Sequence, residues 1–565
     1  MNCKQCNNNF TIYKEDKEFY QKFEIPEPQL CPDCRSQRRL SYRNENNLYA
    51  GTCGLCKQNI ISQYSLDKDL TVYCRDCWWS DKWEPYDYAQ DYDFSRPFFD
   101  QYKEFIRKVP QLNLLDMKSD NSAYTHCVSN NRNCYLIFTA DYNENSMYSN
   151  WLEHCRECVD CLNQHNSEQT YESFFGARLY NSQYLLKCFS ATDSFFCYDC
   201  RGIQNCVLST NLRNKQYNIL NKQYSKEEYE QKLKELALDT YSGRMAALQK
   251  FKKILKTDAI HHYRNQLGRI ETSSGDYLRD VRNCFECFDL SDSDNCRHVR
   301  NMIDMKDSMD CEFGGEGEEG YQNIETFPMP RYAMCTYGCY GGNDIMYSHT
   351  VMNSKYVFGS SGIRKGEYVI FNKKYSAEEY QSMITKIKDH MMETGEWGEF
   401  FPNEDSFFAY NETNAQHWFP LSKEEIINQG WNWFDPEVIT PDNVIPADEL
   451  SETIKEVKDD IIKSAIACVE CSKAFRIVKQ ELDFYRQLNI PLPRMCYSCR
   501  FAERRKWHNP WQLENRQCMC EEKDHGHKKQ GQQLPGRCET KFETSYLSGR
   551  DEIIYCSECY NFSVY

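Results

Sequence analysis

The sequence lacks any surplus of positive charge: across 565 residues the formal net charge is −16. Diffuse attraction to nucleic acid or to an anionic membrane is therefore excluded as a property of the whole molecule, though not of a local face. No run of 18 apolar residues occurs, which excludes an ordinary transmembrane helix. No apolar segment of signal-peptide type precedes Cys3, so the expected location is cytoplasmic, with no membrane partner. A P-loop, a glycine-rich dinucleotide turn and a serine or cysteine triad signature are all missing.

Cysteine and aromatic residues are abundant instead, with 32 Cys, 40 Tyr and 14% aromatics overall. In a long chain with cysteines at metal spacing, reduced thiolates are expected rather than disulfides. The N-terminus reads Cys3-x2-Cys6, Phe10, Phe19-Tyr20, Pro26-x-Pro28, then Cys31-x2-Cys34-Arg35. Near the other end, Cys468-x2-Cys471, Phe475, Phe484-Tyr485, Pro491-x-Pro493 and Cys496-x2-Cys499-Arg500 repeat every position at a shift of 465. A second knuckle pair, Cys53-x2-Cys56 and Cys74-x2-Cys77, follows the first. Its C-terminal counterpart uses Cys538, Cys556 and Cys559, each 482 residues after Cys56, Cys74 and Cys77. The fourth ligand is assigned to Cys520, with Cys518, His525 and His527 as alternatives. Four closed four-ligand sets predict about four structural Zn²⁺ per chain and no catalytic zinc.

The motif Cys3-x2-Cys6-x3-Phe10, Phe19-Tyr20, the prolines and Cys31-x2-Cys34-Arg35 resembles the probable zinc-ribbon domain, a small treble-clef-like module. The resemblance covers about 45 residues at each end. The whole chain is also similar to large zinc-ribbon proteins of small-genome bacteria, and that likeness implies no particular activity. In a treble clef the stretch after the second knuckle begins a helix. There Arg35, Arg38, Arg39 and Arg43, and Arg500, Arg504, Arg505 and Lys506, are candidates for phosphate contact on an exposed basic face. Solvated or carboxylate-paired side chains are the plainer reading.

Between the ends runs a twelve-residue period. Asn121, Asn133, Asn145, Glu157, Gln169, Asn181, Asp193 and Asn205 recur at that interval. Each is followed by a small residue, Ser122, Cys134, Ser146, Cys158, Thr170, Ser182, Ser194 or Cys206. Such a fixed short period predicts a parallel β-solenoid, with a turn of 12 or, to hold Tyr and Phe inside, about 24 residues. The block returns 150 residues later: Asn133-Cys134 matches Asn283-Cys284, and Asp160-Cys161 matches Asp310-Cys311. At the end of each block the shift becomes 151, and Ser225/Glu228 and Ser376/Glu379 form capping boxes that open helices. Further helices are expected from 93 to 109, after Ser422, and over 447–466.

The expected fold is mainly β with helical segments: tandem parallel β-solenoid (β-helix) blocks flanked by paired zinc-ribbon/treble-clef modules. The segments are zinc ribbons at 1–47 and 48–92, a linker helix at 93–111, a first β-solenoid block at 112–224 and its helical closure at 225–268. A second block at 269–375 and a closure at 376–446 follow, then a linker helix with the third ribbon at 447–506 and the fourth ribbon at 507–565. The expected function is a non-catalytic zinc-binding repeat scaffold with a protein partner or self-assembly. RNA or DNA binding through the ribbons' basic faces is the alternative. A weaker one is glycan binding or cleavage by Glu312, Glu316, Glu318 and Glu319 in an interrupted, glycine-rich stretch. Catalytic residues and a small-molecule substrate are not expected.

Overall fold

The computed structural model describes residues 1–436, 441, 443–521, 528–529, 532–533 and 536–565. The chain is mainly β, with helices and zinc-binding cysteine modules. No helix among the described residues is long and apolar enough to cross a membrane. Two compact units interleave along the sequence: residues 1–115 join 264–435, and residues 116–263 join 436–565. The contiguous segments expected from sequence are thereby regrouped. The N-terminal cysteine modules belong with the later ladder, and the C-terminal modules with the earlier one.

Each unit is organised on a ladder of short parallel strands. Leu162 pairs with Phe174, Ala177 with Phe189 and Phe189 with Arg201, so successive strands lie twelve residues apart rather than about 24. A finer period of three runs beneath the twelve. From Lys118 to Leu220 every third residue has positive φ, and the residue after it is buried throughout from Val128 to Ser209. The buried position forms columns of small or aliphatic side chains, such as Cys134, Ile137 and Ala140, or Leu185, Cys188 and Ala191. Aromatic rings such as Tyr135 and Tyr171 instead pack against the C-terminal segment of the same unit. That placement answers the objection to a twelve-residue spacing, because no ring has to fit within the narrow columns.

Serine and cysteine suit these columns because they satisfy the backbone locally. Ser146 Oγ donates to the Glu144 carbonyl and accepts the Cys158 N–H at 3.2 Å. The thiol of Cys155, which opens Cys155-x2-Cys158-x2-Cys161, donates to the carbonyls of Glu153 and Gln164 at 3.5 and 3.4 Å. These mid-chain cysteines are column fillers.

The second ladder, in the other unit, has the same triplet rule from Tyr277 to Glu325, then resumes one residue out of step at Tyr332. Pairing widens there to thirteen residues, as in Gly320 with Ala333 and Ile324 with Tyr337. This extra residue converts the 150-residue shift to 151. The counterpart of Asp193 is accordingly Asp344, and those of Cys197 and Cys200 are Ser348 and Val351. No interruption occurs at the glycine-rich stretch, since strand Met309–Glu318 pairs on both sides. Gly314 takes a half-buried position in the column where a Cβ would lie 2.0 Å from the Thr326 carbonyl oxygen.

Helices close the ladders where capping boxes open them, at Lys226–Glu235 and Ala377–Thr394, and a third box opens Lys423–Asn428. The helix near 93–109 spans Phe98–Lys108, its first N–H groups held by the Glu396 carboxylate at 2.7 and 2.8 Å. No α-helix spans 447–466. Three 3-10 turns and strand Ala465–Ala467 occupy it, because Leu450, Ile454, Ile461 and Ile466 each anchor in one apolar cluster.

Candidate metal centres and their arginine clamps

Four cysteine tetrads assemble, each with its sulfur atoms within 4.8 Å of one another: Cys3, Cys6, Cys31, Cys34; Cys53, Cys56, Cys74, Cys77; Cys468, Cys471, Cys496, Cys499; and Cys518, Cys538, Cys556, Cys559. One construction serves all four. The third cysteine is the N-cap of a helix, as Cys31 is for Pro32–Leu40 and Cys556 for Ser557–Val564, so helix N-termini face the thiolates. Its N–H donates to the first cysteine's sulfur at 3.3, 3.3, 3.3 and 3.2 Å. In the first three knuckles a left-handed residue, Asn7, Lys57 or Ser472, turns the chain just after the second ligand.

The donor geometry fits zinc. Four sulfurs at about 2.3 Å from a tetrahedral Zn²⁺ lie about 3.8 Å apart. The second and third sulfurs are separated by 3.7 Å in the first and third tetrads, 3.9 Å in the second and 4.0 Å in the fourth. Burial pushes the Cys53 thiol up, but N–H groups of Cys74, Cys56 and Leu55 outweigh it and hold it at about 6. Cys468 is held at about 7 by the matching N–H groups against the same burial effect. One thiolate in each of these two tetrads is thus favoured before any metal arrives, while burial pushes Cys77 and Cys499 up.

The fourth tetrad corrects the sequence assignment. Cys518, not Cys520, supplies the remaining ligand, while Cys520 is buried beside it and its carbonyl accepts the Cys538 N–H at 2.9 Å. Cys518 stands 465 residues after Cys53, whereas Cys538 stands 482 after Cys56, so 17 extra residues (482 − 465) enter within the knuckle. The knuckle's closing bond survives the insertion: Cys53 N donates to the Gln58 carbonyl, and Cys518 N to that of Thr540, 482 residues on. His525 and His527 lie outside the described residues.

Residues 1–43 match the family described as a probable treble clef domain. No curated protein matches the chain. The treble clef match ends with the helix that carries the candidate basic face, and the structure turns that face inward. Arg35 Nε lies 2.9 Å from Asp310, and Arg39 lies 3.4 Å from Asp310 and donates to Glu312 at 2.8 Å; none of these side chains is more than 2% exposed. Positions i and i+4 share a helix face, which is why both arginines reach one aspartate. Arg38 pairs with Glu399 at 2.8 Å, and Arg43 lies over Phe313 and near Glu45 and Glu325.

The other unit repeats the clamp. Arg500 and Arg504 hold Asp160 at 2.9 and 2.8 Å, and Arg504 also reaches Glu172 at 3.3 Å. Arg500 and Arg504 are buried, Arg505 lies over Phe501 at 6.0 Å, and Lys506 is exposed and paired with Glu503. The phosphate-contact expectation therefore fails for Arg35, Arg39, Arg43, Arg500 and Arg504, which have no solvent face to offer. Three of the four carboxylates considered for glycan chemistry are also engaged, Glu312 by Arg39, Glu318 by Lys306 and Glu319 by Lys22 and Arg331, while Glu316 is exposed. After the second tetrad's last ligand, Trp78 and Trp83 pack inward, with Trp83 Nε1 donating to the Trp78 carbonyl and Arg364 lying over both rings, while Trp79 is exposed.

Proposed function

We propose that the protein is a non-catalytic scaffold in which zinc-held treble clefs fasten two parallel β-solenoid blocks of twelve-residue coil, and that its partner is another protein or a second copy. The observation that carries this reading is the clamp. The helix of a closed cysteine tetrad spends its two most regular cations on one buried ladder aspartate, in both units. Such tetrads contribute on the order of 10–16 kcal/mol through metal binding, ample to preform a small module for docking. The triplet backbone, the twelve-residue register and the column of small side chains support the solenoid reading.

Metal analysis of the purified chain is expected to give about four Zn²⁺. Chelation should release the modules and expose the ladders to limited proteolysis. A zinc count near zero, or an unchanged proteolytic pattern after complete metal removal, would overturn the scaffold reading.

A further inference from the structure

At one place where the duplicated units differ, the difference leaves a recess. In the unit of residues 1–115 and 264–435, Arg297 donates to Asp16 and lies over the rings of Tyr13 and Phe285 at 5.5 and 5.1 Å. The corresponding positions in the other unit are Met147 for Arg297, Glu481 for Asp16, Val478 for Tyr13 and Tyr135 for Phe285. A ring and a long side chain are thus lost together. A recess of about 450 Å³ opens there, within the 300–1,000 Å³ range of small-molecule sites.

Its chemistry is also reversed. Tyr135, Phe475 and Tyr497 line it beside aliphatic Ile462 and Val478. The acid at its floor is already satisfied: Glu481 accepts hydrogen bonds from Tyr148 and Tyr485 at 2.8 and 2.7 Å. The rim carries Arg476, exposed and, among the described residues, in no ion pair, where the first unit has Thr11. A cation like the Arg297 guanidinium therefore has no acid left to meet, while an anion meets Arg476; Lys479 beside it is already paired with Asp483. In a chain of net charge −16, that local sign is a selective feature.

We infer that this recess binds a nucleoside monophosphate, free or as one unit of a single strand, with the base against Tyr135, Phe475 and Tyr497 and the phosphate at Arg476. Aromatic walls take any base by its flat face, and a guanidinium takes phosphate through two parallel N–H bonds. Tyr497 follows the ligand Cys496 on the third tetrad's helix, and the clamp residue Arg500 also lines the recess. The inference therefore rests on that zinc module being folded, and zinc content read beside binding separates its failure from that of the scaffold reading.

The test titrates the full zinc-loaded chain with the four nucleoside 5′-monophosphates by calorimetry. Nucleosides and ribose 5-phosphate serve as half-ligands, and a short single-stranded oligonucleotide separates a strand from a free nucleotide. Saturable monophosphate binding is expected, weakened about tenfold or more by R476E and in either half-ligand, as for loss of one charge-assisted contact. V478Y, which restores the ring of the first unit, should abolish it with zinc content and melting temperature unchanged. No binding of any monophosphate or of the oligonucleotide at millimolar concentration overturns the inference. So does binding that R476E and V478Y both leave intact.

Discussion

Replacing Asp310 by Asn tests whether the clamp holds the treble clef to its ladder. Asp310 is fully buried and receives Arg35 at 2.9 Å and Arg39 at 3.4 Å. Removing one member of a buried ion pair typically costs about 3–5 kcal/mol, because the surviving charge stays buried without its partner. Asn retains an oxygen for Arg35 Nε, and Arg39 keeps Glu312, so the lower end, about 3 kcal/mol, is expected. Seven of the ten tryptophans lie in this unit, so urea unfolding followed by tryptophan fluorescence reports on it. The apolar pair R35M/D310L should recover much of the loss, since well-packed hydrophobic replacements of a buried pair are often neutral. Burial raises the Asp310 pKa, but Arg35 and Arg39 outweigh it and hold the carboxyl below the ordinary carboxylate value. Its contribution is therefore fully present above the unfolded-state value of about 3.9 and is lost only as pH falls through the lower folded value. A D310N protein within about 1 kcal/mol of wild type at pH 7 would refute the clamp as a fastening.

Cys518→Ser should remove one zinc equivalent by metal analysis while Cys520→Ser removes none; the opposite result would reassign the fourth tetrad. Glu172 is pushed up to about 7 by burial, against the pull of Arg504. Its folded value lies above its unfolded one, so its stabilising contribution is complete below about pH 4.3 and fades as pH rises through 7. Glu172→Gln removes that loss, on the order of 3 kcal/mol, and should raise the urea midpoint relative to wild type at pH 8 but not at pH 5. Cys158→Ser should be near neutral, because Ser146 and Ser182 fill the same column, whereas Cys158→Leu should cost about 1–3 kcal/mol by overpacking. Equal unfolding midpoints for the two Cys158 variants would contradict the narrow column.

The twelve-residue period, the 150-residue shift, the capping boxes and three tetrads were legible because each is a local pattern in residue type. The triplet beneath the period was not. Tyr148, Trp151, Phe175 and Lys187 all sit at positive φ, where local preference does not place bulky side chains. Pairing along the ladder imposes that conformation, so no composition signal marks it. Cys518 was recoverable: two shifts, 465 and 482, straddle the fourth knuckle and place an insertion between its ligands. The arginines were misread for a different reason. A helix-face argument sees only neighbours in sequence, and Asp310 lies 275 residues from Arg35.

Interleaving raises the question of how each treble clef chooses its ladder, given two ladders related by duplication. Both offer the clamp aspartate, Asp310 or Asp160, so the aspartate alone does not discriminate. The neighbouring residues do. Asp16 is 2% exposed and needs Arg297, but the first ladder has Met147 at that position. Docked there, the N-terminal clef would bury an acid facing a thioether, at a cost of about 3–5 kcal/mol, equivalent to a preference of at least a hundredfold for the second ladder. Arg297→Met in the intact chain should therefore destabilise the unit of residues 1–115 and 264–435 by about 3 kcal/mol, and Asp16→Asn added to it should restore most of that loss. Urea unfolding of wild type, both single variants and the double variant gives the coupling energy directly. A coupling below about 0.5 kcal/mol would remove this pair as the selector and leave Glu312, the second partner of Arg39, which is Leu162 in the first ladder.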